Sequence, residues 1–97
     1  MLDPITDKDL KNFEEQLRGV TQDKDRLRLI KTIANDNWSF ASEQVKRLVI
    51  AAHYGEAKIQ AALLLYPNVT DKQNFKALVL PLFFDDEKAS ICSKLNL

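Results

Sequence analysis

Residues 44–58 read QVKRLVIAAHYGEAK, and residues 74–88 read NFKALVLPLFFDDEK, which matches the first segment at an offset of 30 residues. Two lysines and a Leu-Val pair coincide, and Tyr54 falls on Phe84 shortly before the second lysine. Amphipathic helices resemble one another in general, but an aromatic-to-lysine spacing that is kept across a turn favours a true repeat. Repeats of this length are typical of stacked helix pairs, in which each pair buries a face against the next. The match therefore predicts helix hairpins in series.

A fainter copy of the pattern occurs in the N-terminal third, where Phe13 and Leu17 fall over Val45 and Val49, so three hairpins are predicted. Apolar residues recur at spacings of three and four throughout, which is the helical period. The six predicted helices run from Thr6 to Gly19, from about Asp23 to Ala34, from about Ser42 to His53, from Gly55 to Pro67, from Thr70 to Pro81, and from Asp85 or Asp86 towards the C-terminus.

Local signals set the predicted helix starts and ends. The hydroxyl of Thr6 can accept a hydrogen bond from a backbone amide of the first helix and so cap it. Thr70 and Gln73 have the spacing of a reciprocal cap, in which each side chain binds the other residue's amide. Asp85 or Asp86 is the predicted cap of the sixth helix. Pro81 removes a backbone donor and crowds the preceding turn, which ends or kinks the fifth helix.

The apolar stripes of these helices predict one core. Its expected members are Phe13, Leu27, Ile30, Phe40, Val45, Leu48, Ile59, Leu63, Phe75 and Leu78. The sixth helix is expected to bury Ala89, Cys92 and Leu95, which recur at a spacing of three. Strand-like alternation is too short anywhere to predict a sheet. The expected fold is all-α, a single helical domain over residues 1–97 whose six short amphipathic helices form three stacked hairpins in an α-solenoid-like bundle.

Composition limits the function classes. The chain has 97 residues, and its 14 basic side chains cancel its 14 acidic ones, so a general attraction to nucleic acid or to anionic lipid is absent. A single cysteine cannot form an intramolecular disulfide, which fits a reducing compartment. The N-terminus carries acids where a secretory signal has a basic and then an apolar run, and no segment reaches the roughly 20 apolar residues of a membrane span. A cytoplasmic or nuclear location is expected, with no nucleic-acid or membrane partner.

Residues that carry chemistry are few. His53 is the only histidine, and with Cys92 it supplies two of the four ligands that structural zinc requires. Asp23 and Asp25 resemble the start of a calcium loop, but the required glycine is Arg28 and the closing glutamate is Ala34. We therefore expect no metal, no cofactor and no catalytic residue. A small enzyme that uses His53 and Cys92 is the remote alternative, and it requires the two to meet in a pocket.

A partner-binding surface is predicted from charge and from unburied aromatics. Between Arg18 and Arg47, seven basic residues outnumber four acids, which indicates either a solvated face or a docking surface for an acidic or amphipathic partner segment. The segment VLPLFF is interrupted by Pro81 and ends in Phe83 and Phe84, and one helix face cannot easily bury both of these phenylalanines. The aromatic turn before the third helix is expected to be mainly a corner that packs Phe40. The candidate surface comprises Arg26, Lys31, Trp38, Lys46, Arg47, Phe83 and Phe84.

Four short segments of the chain resemble the family called domain of unknown function 4476, which occurs in proline- and serine-rich protein 1 and in many bacterial proteins. They read DKDRLRLIKTIA, WSFASEQVKRLV, GEAKIQAALLLYPNVTDKQNFKALV and FDDEK. Ala41 departs from the family pattern, which prefers a hydroxyl there, so the third helix is expected to start from Ser39 or Ser42. The resemblance implies an all-helical domain with no assigned catalysis. The residues that match the family motif are Phe40, Ser42, Gln44, Val45, Asp71 and Asn74.

The function expected from these observations is a non-enzymatic helical module or adaptor that recruits a protein partner, because small stacked-hairpin domains present grooves and carry no chemistry of their own. A death-fold type of homotypic adaptor, which also has six helices in about this length, is the alternative architecture. Such a fold would lack the repeat.

Overall fold

A computed structural model describes residues 2–53 and 55–97 of the chain. Those residues contain six α-helices, as predicted, together with two strands of two residues each. Short 3₁₀ turns that contain Pro67 and Pro81 follow the fourth and fifth helices, so both prolines lie where the helices end. The elements are β1 (Asp3–Pro4), α1 (Asp7–Gly19), α2 (Asp23–Ala34), β2 (Trp38–Ser39), α3 (Ser42–Ala51), α4 (Gly55–Leu65), α5 (Lys72–Leu78) and α6 (Asp85–Leu95).

The helices form two layers, one built from α1, α3 and α5 and the other from α2, α4 and α6. Within each layer a helix packs on the corresponding helix of the next pair, and α3 and α4 join the layers at the centre. The repeat appears in the element bounds, since α4 and α6 each have 11 residues and begin at matched positions of the 30-residue offset. This order confirms the prediction of hairpins stacked in series. The repeat also argues against a death-fold.

The expectation of no sheet is wrong in one detail. β1 pairs in parallel with β2, and Phe40 forms a further parallel bridge with Val69. The backbone N–H of Ile5 donates to Ser39 O at 3.0 Å, and that of Thr70 donates to Phe40 O at 2.9 Å. The extended residues that lead into α1, α3 and α5 thus satisfy one another's backbone groups. A two-residue strand is too short to show as alternation in the sequence.

The predicted core residues all lie in the core or pack on it. Ile30, Phe40, Val45, Leu48 and Phe75 are at most 1% exposed, and the other five are partly buried against them. The stripe predicted on α6 is wrong at its first residue, because Ala89 is exposed, and it omits Ile91, which is fully buried. Cys92 and Leu95 are partly buried beside Ile91. The inward face of α6 therefore follows the spacing of four between Ile91 and Leu95.

Thr6 caps α1 as predicted, since its hydroxyl accepts a hydrogen bond from Asp9 N at 3.1 Å. Thr70 does not cap α5. Its amide and hydroxyl both donate to Phe40 O, which ties it to the previous repeat, and Asp71 takes the cap position. Neither Asp85 nor Asp86 caps α6, whose cap position is Phe84.

The starts of α3 and α6 use one half of a reciprocal cap. The side chain of Gln44 accepts a hydrogen bond from Ala41 N at 2.8 Å, and the carboxylate of Glu87 accepts one from Phe84 N at 2.9 Å. The cap residues, alanine and phenylalanine, have no side-chain oxygen to complete the exchange. α3 begins at Ser42 as expected, but it ends at Ala51, short of the predicted His53, whose backbone is left-handed at φ 67°.

Candidate partner-binding site

The aromatic turn before α3 is a structural corner, as expected. Phe40 is 1% exposed and belongs to the core. Trp38 is half-buried in β2, where its indole Nε1 donates to the Asp36 carboxylate at 3.1 Å. Both rings thus pack on the core at the joint between the first two helix pairs. Trp38 is partly exposed, so only part of its side chain is accessible to a partner.

A second joint lies between the N-termini of α3 and α5. The backbone N–H of Ser42 donates to Asp71 Oδ1 at 2.7 Å, and the Ser42 hydroxyl donates to Asp71 O at 3.1 Å. The amide of Asn74 donates to Asp71 Oδ2 at 3.1 Å. Burial acts to raise the pKa of the Asp71 carboxyl, but the hydrogen bonds from Asn74 and Ser42 outweigh it, and the pKa lies below its ordinary value. Asp71 is therefore an ionised tie between consecutive repeats.

Arg26 does not belong to an exposed basic face, so its predicted contribution to the binding surface is wrong. It is 3% exposed, and its guanidinium donates to Val20 O at 3.0 Å and pairs with Asp23 Oδ1 at 3.3 Å. Asp23 in turn accepts from Ala57 N at 3.4 Å, at the start of α4. Gly55 permits this approach, because a Cβ there would lie 3.0 Å from Asp23 Oδ1. Arg26 and Asp23 thus fasten α2 to α4.

Arg47 is also engaged within the protein. Its guanidinium pairs with Asp7 at 3.0 Å and with Glu14 at 2.5 Å, which links α3 to α1. Glu14 is only 7% exposed and has a second contact, at 3.5 Å, with Arg18. The hydrogen bond with Asp7, together with the nearby Glu14 charge, raises the pKa of Arg47. Arg47 therefore stabilises the α1–α3 contact.

The basic residues predicted to form one surface are divided between the two layers. Lys46 is half-buried on α3, in the same layer as Arg47, whereas Lys31 is exposed on α2 in the other layer. The sequence places α2 and α3 next to each other, but α2 packs mainly on α4. Lys31 therefore lies on a helix of the other layer from Lys46 and Arg47.

One of the two adjacent phenylalanines faces outward, as expected. Phe83 is 5% exposed, and Lys58 Nζ lies 4.8 Å from the centre of its ring while donating to Leu82 O. Phe83 is therefore a core residue, which contradicts its assignment to the binding surface. Phe84 is 77% exposed, the largest exposed fraction among the exposed large apolar side chains of the described residues.

A groove that the sequence did not indicate lies between the end of α1 and the outer face of α2. It has a volume of about 620 Å³, opens widely to solvent and has a mostly apolar surface. It forms because α1 and α2 make few contacts with each other, each packing chiefly on a helix of the next pair. Its lining residues are Gln16, Gly19 and Val20 from the α1 side, and Asp25, Arg28, Leu29 and Thr32 from α2.

A basic stripe runs along α2 beside this groove. Lys24, Arg28 and Lys31 recur at spacings of four and three, which places them on one face, and all three are exposed. Arg28 approaches Asp25 at 4.0 Å, which is a weak exposed pair. Within residues 2–53 and 55–97, Lys24 and Lys31 form no ion pair. The stripe thus presents three positive charges against the single carboxylate of Asp25.

Neither His53 nor Cys92 lines the groove. The described residues contain no group of three or more His, Cys, Asp or Glu side chains arranged to hold a metal ion. No helix in the described part of the chain has the length and apolar character that crossing a bilayer requires.

Comparison with known proteins yields one family. The model of a domain of unknown function, DUF4476, matches residues 4–95, which is nearly the whole chain. The chain belongs to the DUF4476 family. It is also similar to an uncharacterised protein of Dictyostelium discoideum, with 59% identity over 39 residues, covering 40% of this chain and 86% of that protein. No solved structure matches the chain.

The six residues that the sequence resemblance assigned to the family motif lie at the joints between repeats. Phe40 and Val45 are core, and Ser42, Asp71 and Asn74 form the tie between α3 and α5. Gln44, besides accepting from Ala41, places its Nε2 3.5 Å from Ile5 O in the segment before α1. None of the six lines the α1–α2 groove. These six residues therefore contribute to the stacking of the helix pairs.

Sequence reasoning missed Leu29 and Val20, which supply apolar surface to the groove. Leu29 lies one helical turn before the buried Ile33, at the edge of the face of α2 that packs on the core, and it is itself partly buried there. An apolar residue at the edge of the core-facing stripe of an amphipathic helix is the signal that indicates this surface in advance.

Proposed function

We propose that this DUF4476 chain is a non-enzymatic interaction module that binds an acidic protein segment with one large apolar side chain in the α1–α2 groove. The observation that supports this proposal is the α1–α2 groove. Its apolar surface, supplied by Val20 and Leu29, can bury the apolar side chain, and the basic stripe beside it can attract the acids that flank that side chain.

The charge distribution supports this groove over the surface predicted from the sequence. Arg26 and Arg47 already serve contacts within the protein, whereas Lys24 and Lys31 have no ion-pair partner among the described residues. The protein as a whole is neutral, so the stripe is a local feature that steers a short acidic segment. The groove is open and most of its surface area is apolar, which suits a side chain of a protein partner better than a small polar substrate. We place this interaction in the cytoplasm or the nucleus, where the lone Cys92 stays reduced.

Binding of labelled peptides tests the proposal. The probes are short synthetic peptides with one Phe or Leu flanked by Asp and Glu, and matched peptides in which Lys replaces the acids. We expect the acidic set to bind, the basic set to fail, and the affinity to fall as salt rises, because salt screens exposed charges. Fluorescence anisotropy measures each titration.

A charge-reversal pair of variants locates the site. Changing Lys24, Arg28 and Lys31 to Glu is expected to weaken binding of the acidic peptides at least about tenfold, which is 1.4 kcal/mol. The control changes Lys11, Lys76 and Lys94 to Glu, which alters net charge equally but on exposed positions of α1, α5 and α6. Thermal melts check that both variants fold. Equal loss of affinity in the two variants, or no loss in either, would contradict the proposed groove.

A further inference from the structure

Phe84 contributes little to the stability of a single folded copy. It is the cap residue of α6, where Ser, Thr, Asp or Asn would accept a hydrogen bond from the first turn and a phenylalanine cannot. Its ring is 77% exposed, so burial does not offset that loss. Its neighbour Phe83 is buried under Lys58 and has a clear packing role. Phe84 has the exposure expected of an anchor for contact with another molecule.

The residues after Phe84 give it the chemistry that the groove would accept. Asp85, Asp86 and Glu87 follow it directly, and they form the acidic first turn of α6. Glu87 accepts from Phe84 N, and Asp85 lies 3.8 Å from Lys88, while Asp86 is exposed. The segment is thus an exposed aromatic side chain beside three carboxylates. It is complementary to an apolar groove beside three exposed cations.

The two surfaces belong to opposite ends of the stack. The groove lies on the outer face of α2, and Phe84 begins α6, while α4 packs between α2 and α6. Phe84 therefore begins a helix that lies across α4 from the groove of its own copy. A second copy can present its Phe84 there without any rearrangement of the helix pairs.

We propose that Phe84 of one copy docks in the α1–α2 groove of a second copy, head to tail, with Asp85 and Asp86 beside the basic stripe. This inference rests on the proposed function and names a second copy of the chain as the partner. The contact joins two different surfaces, so each added copy leaves one groove and one Phe84 unoccupied at the ends. Association therefore continues beyond two copies, and it extends the order in which α2, α4 and α6 already stack within one chain.

Sedimentation velocity at increasing protein concentration tests the inference. Between about 10 µM and about 1 mM, the range of weak self-association, the weight-average sedimentation coefficient of the wild type is expected to rise. Phe84→Ser and the triple reversal of Lys24, Arg28 and Lys31 to Glu are each expected to remain monomeric. The control is Ile50→Ser, which removes an apolar side chain that is 46% exposed on α3 and should leave association unchanged.

Mixing the two defective variants distinguishes a head-to-tail contact from a symmetric one. The Phe84→Ser variant retains its groove, and the triple-reversal variant retains its Phe84. An equimolar mixture is therefore expected to form heterodimers of the two variants and no larger species. Failure of the mixture to pair would overturn the head-to-tail geometry. A wild type that stays monomeric throughout, or a Phe84→Ser variant that associates as the wild type does, would overturn the inference itself.

The peptide titrations separate this inference from the proposed function. If the wild type is monomeric but the groove still binds acidic peptides and loses them on triple reversal, self-docking is wrong and the interaction module stands. If the triple reversal changes neither association nor peptide binding, both proposals fail. A peptide of residues 80–90 that binds the Phe84→Ser protein and loses affinity when its own Phe84 is changed to Ser is expected when both hold.

Discussion

Replacing Asp71 with alanine removes the carboxylate that ties consecutive repeats. Ser42 is fully buried, and its backbone N–H donates to Asp71 Oδ1 at 2.7 Å. In the variant this donor is left without its partner at the start of α3. The Ser42 hydroxyl keeps its acceptor, because that acceptor is the backbone oxygen of residue 71. The loss is therefore dominated by one short hydrogen bond to an ionised group.

The expected cost follows from that bond. A hydrogen bond to a charged group contributes about 1.5–3 kcal/mol, and a buried amide without a partner costs about 1–3 kcal/mol. The contact with Asn74 is exposed and adds little. We expect Asp71→Ala to lower the free energy of unfolding by about 2 kcal/mol, which for a chain of this size lowers Tm by about 10 °C. Asp71→Asn keeps an oxygen acceptor and is expected to lose about half as much.

The pH dependence has a definite sign. The pKa of Asp71 is lowered in the folded protein, so its carboxylate contributes stability that is present above the unfolded pKa of about 3.9 and is lost as pH falls through the folded pKa. The difference in unfolding free energy between wild type and Asp71→Asn is therefore expected to be full at pH 7 and to shrink below about pH 4.

Thermal and urea unfolding followed by circular dichroism measure these differences. Asp86→Ala is the matched control, because Asp86 also lies at the start of a helix but is exposed. Its expected effect is at most about 0.5 kcal/mol, chiefly through the helix dipole. If Asp71→Ala changes stability by less than about 0.5 kcal/mol, or by no more than the control, the tie between α3 and α5 does not hold the repeats together.

Three other substitutions have distinct expected outcomes. Leu48→Ala should lower the free energy of unfolding, measured with urea, by about 2–5 kcal/mol because Leu48 is fully buried. A decrease of less than about 0.5 kcal/mol would mean that this side of α3 does not face the core. Arg47→Glu should lower the free energy of unfolding by about 2 kcal/mol, since it leaves Glu14 beside a like charge. The control Lys31→Glu should change it by at most about 0.5 kcal/mol. Equal melting temperatures of the two variants would refute the α1–α3 ion pair. Phe84→Ser should raise the free energy of unfolding of the monomer by about 1 kcal/mol through a restored cap, and a lowered Tm at low concentration would contradict the assignment of Phe84 as an exposed cap residue.

The helices were predictable because their signals are local. α2 runs from Asp23 to Ala34 as its apolar period indicates, and Thr6 caps α1 as its hydroxyl allows. Where local signals compete, prediction failed. Thr70 has the spacing of a cap but donates to Phe40 O instead, because the segment before α5 is needed to pair with the segment before α3. The 30-residue match predicted the stacking order since both copies must bury equivalent faces.

The candidate site was far less predictable. The predicted surface included Arg26 and Arg47, which serve internal contacts, and Phe83, which is core, while Lys31 and Phe84 proved to be exposed as expected. The pairing of Arg47 with Asp7 spans 40 residues of chain, and charge counting along the sequence does not reveal it.

The sequence by itself determined the helical class, the number of helices and the serial order of the pairs, because helical period, proline and internal repetition act over a few residues or copy one local pattern. Tertiary structure alone decided which charged side chains pair within the protein and which remain unpaired on its surface. It also created the α1–α2 groove, since α1 and α2 pack chiefly on the next pair and leave Val20 and Leu29 partly uncovered between them. Burial and ion pairing depend on residues that are distant in sequence and adjacent only after folding, so no local pattern encodes them.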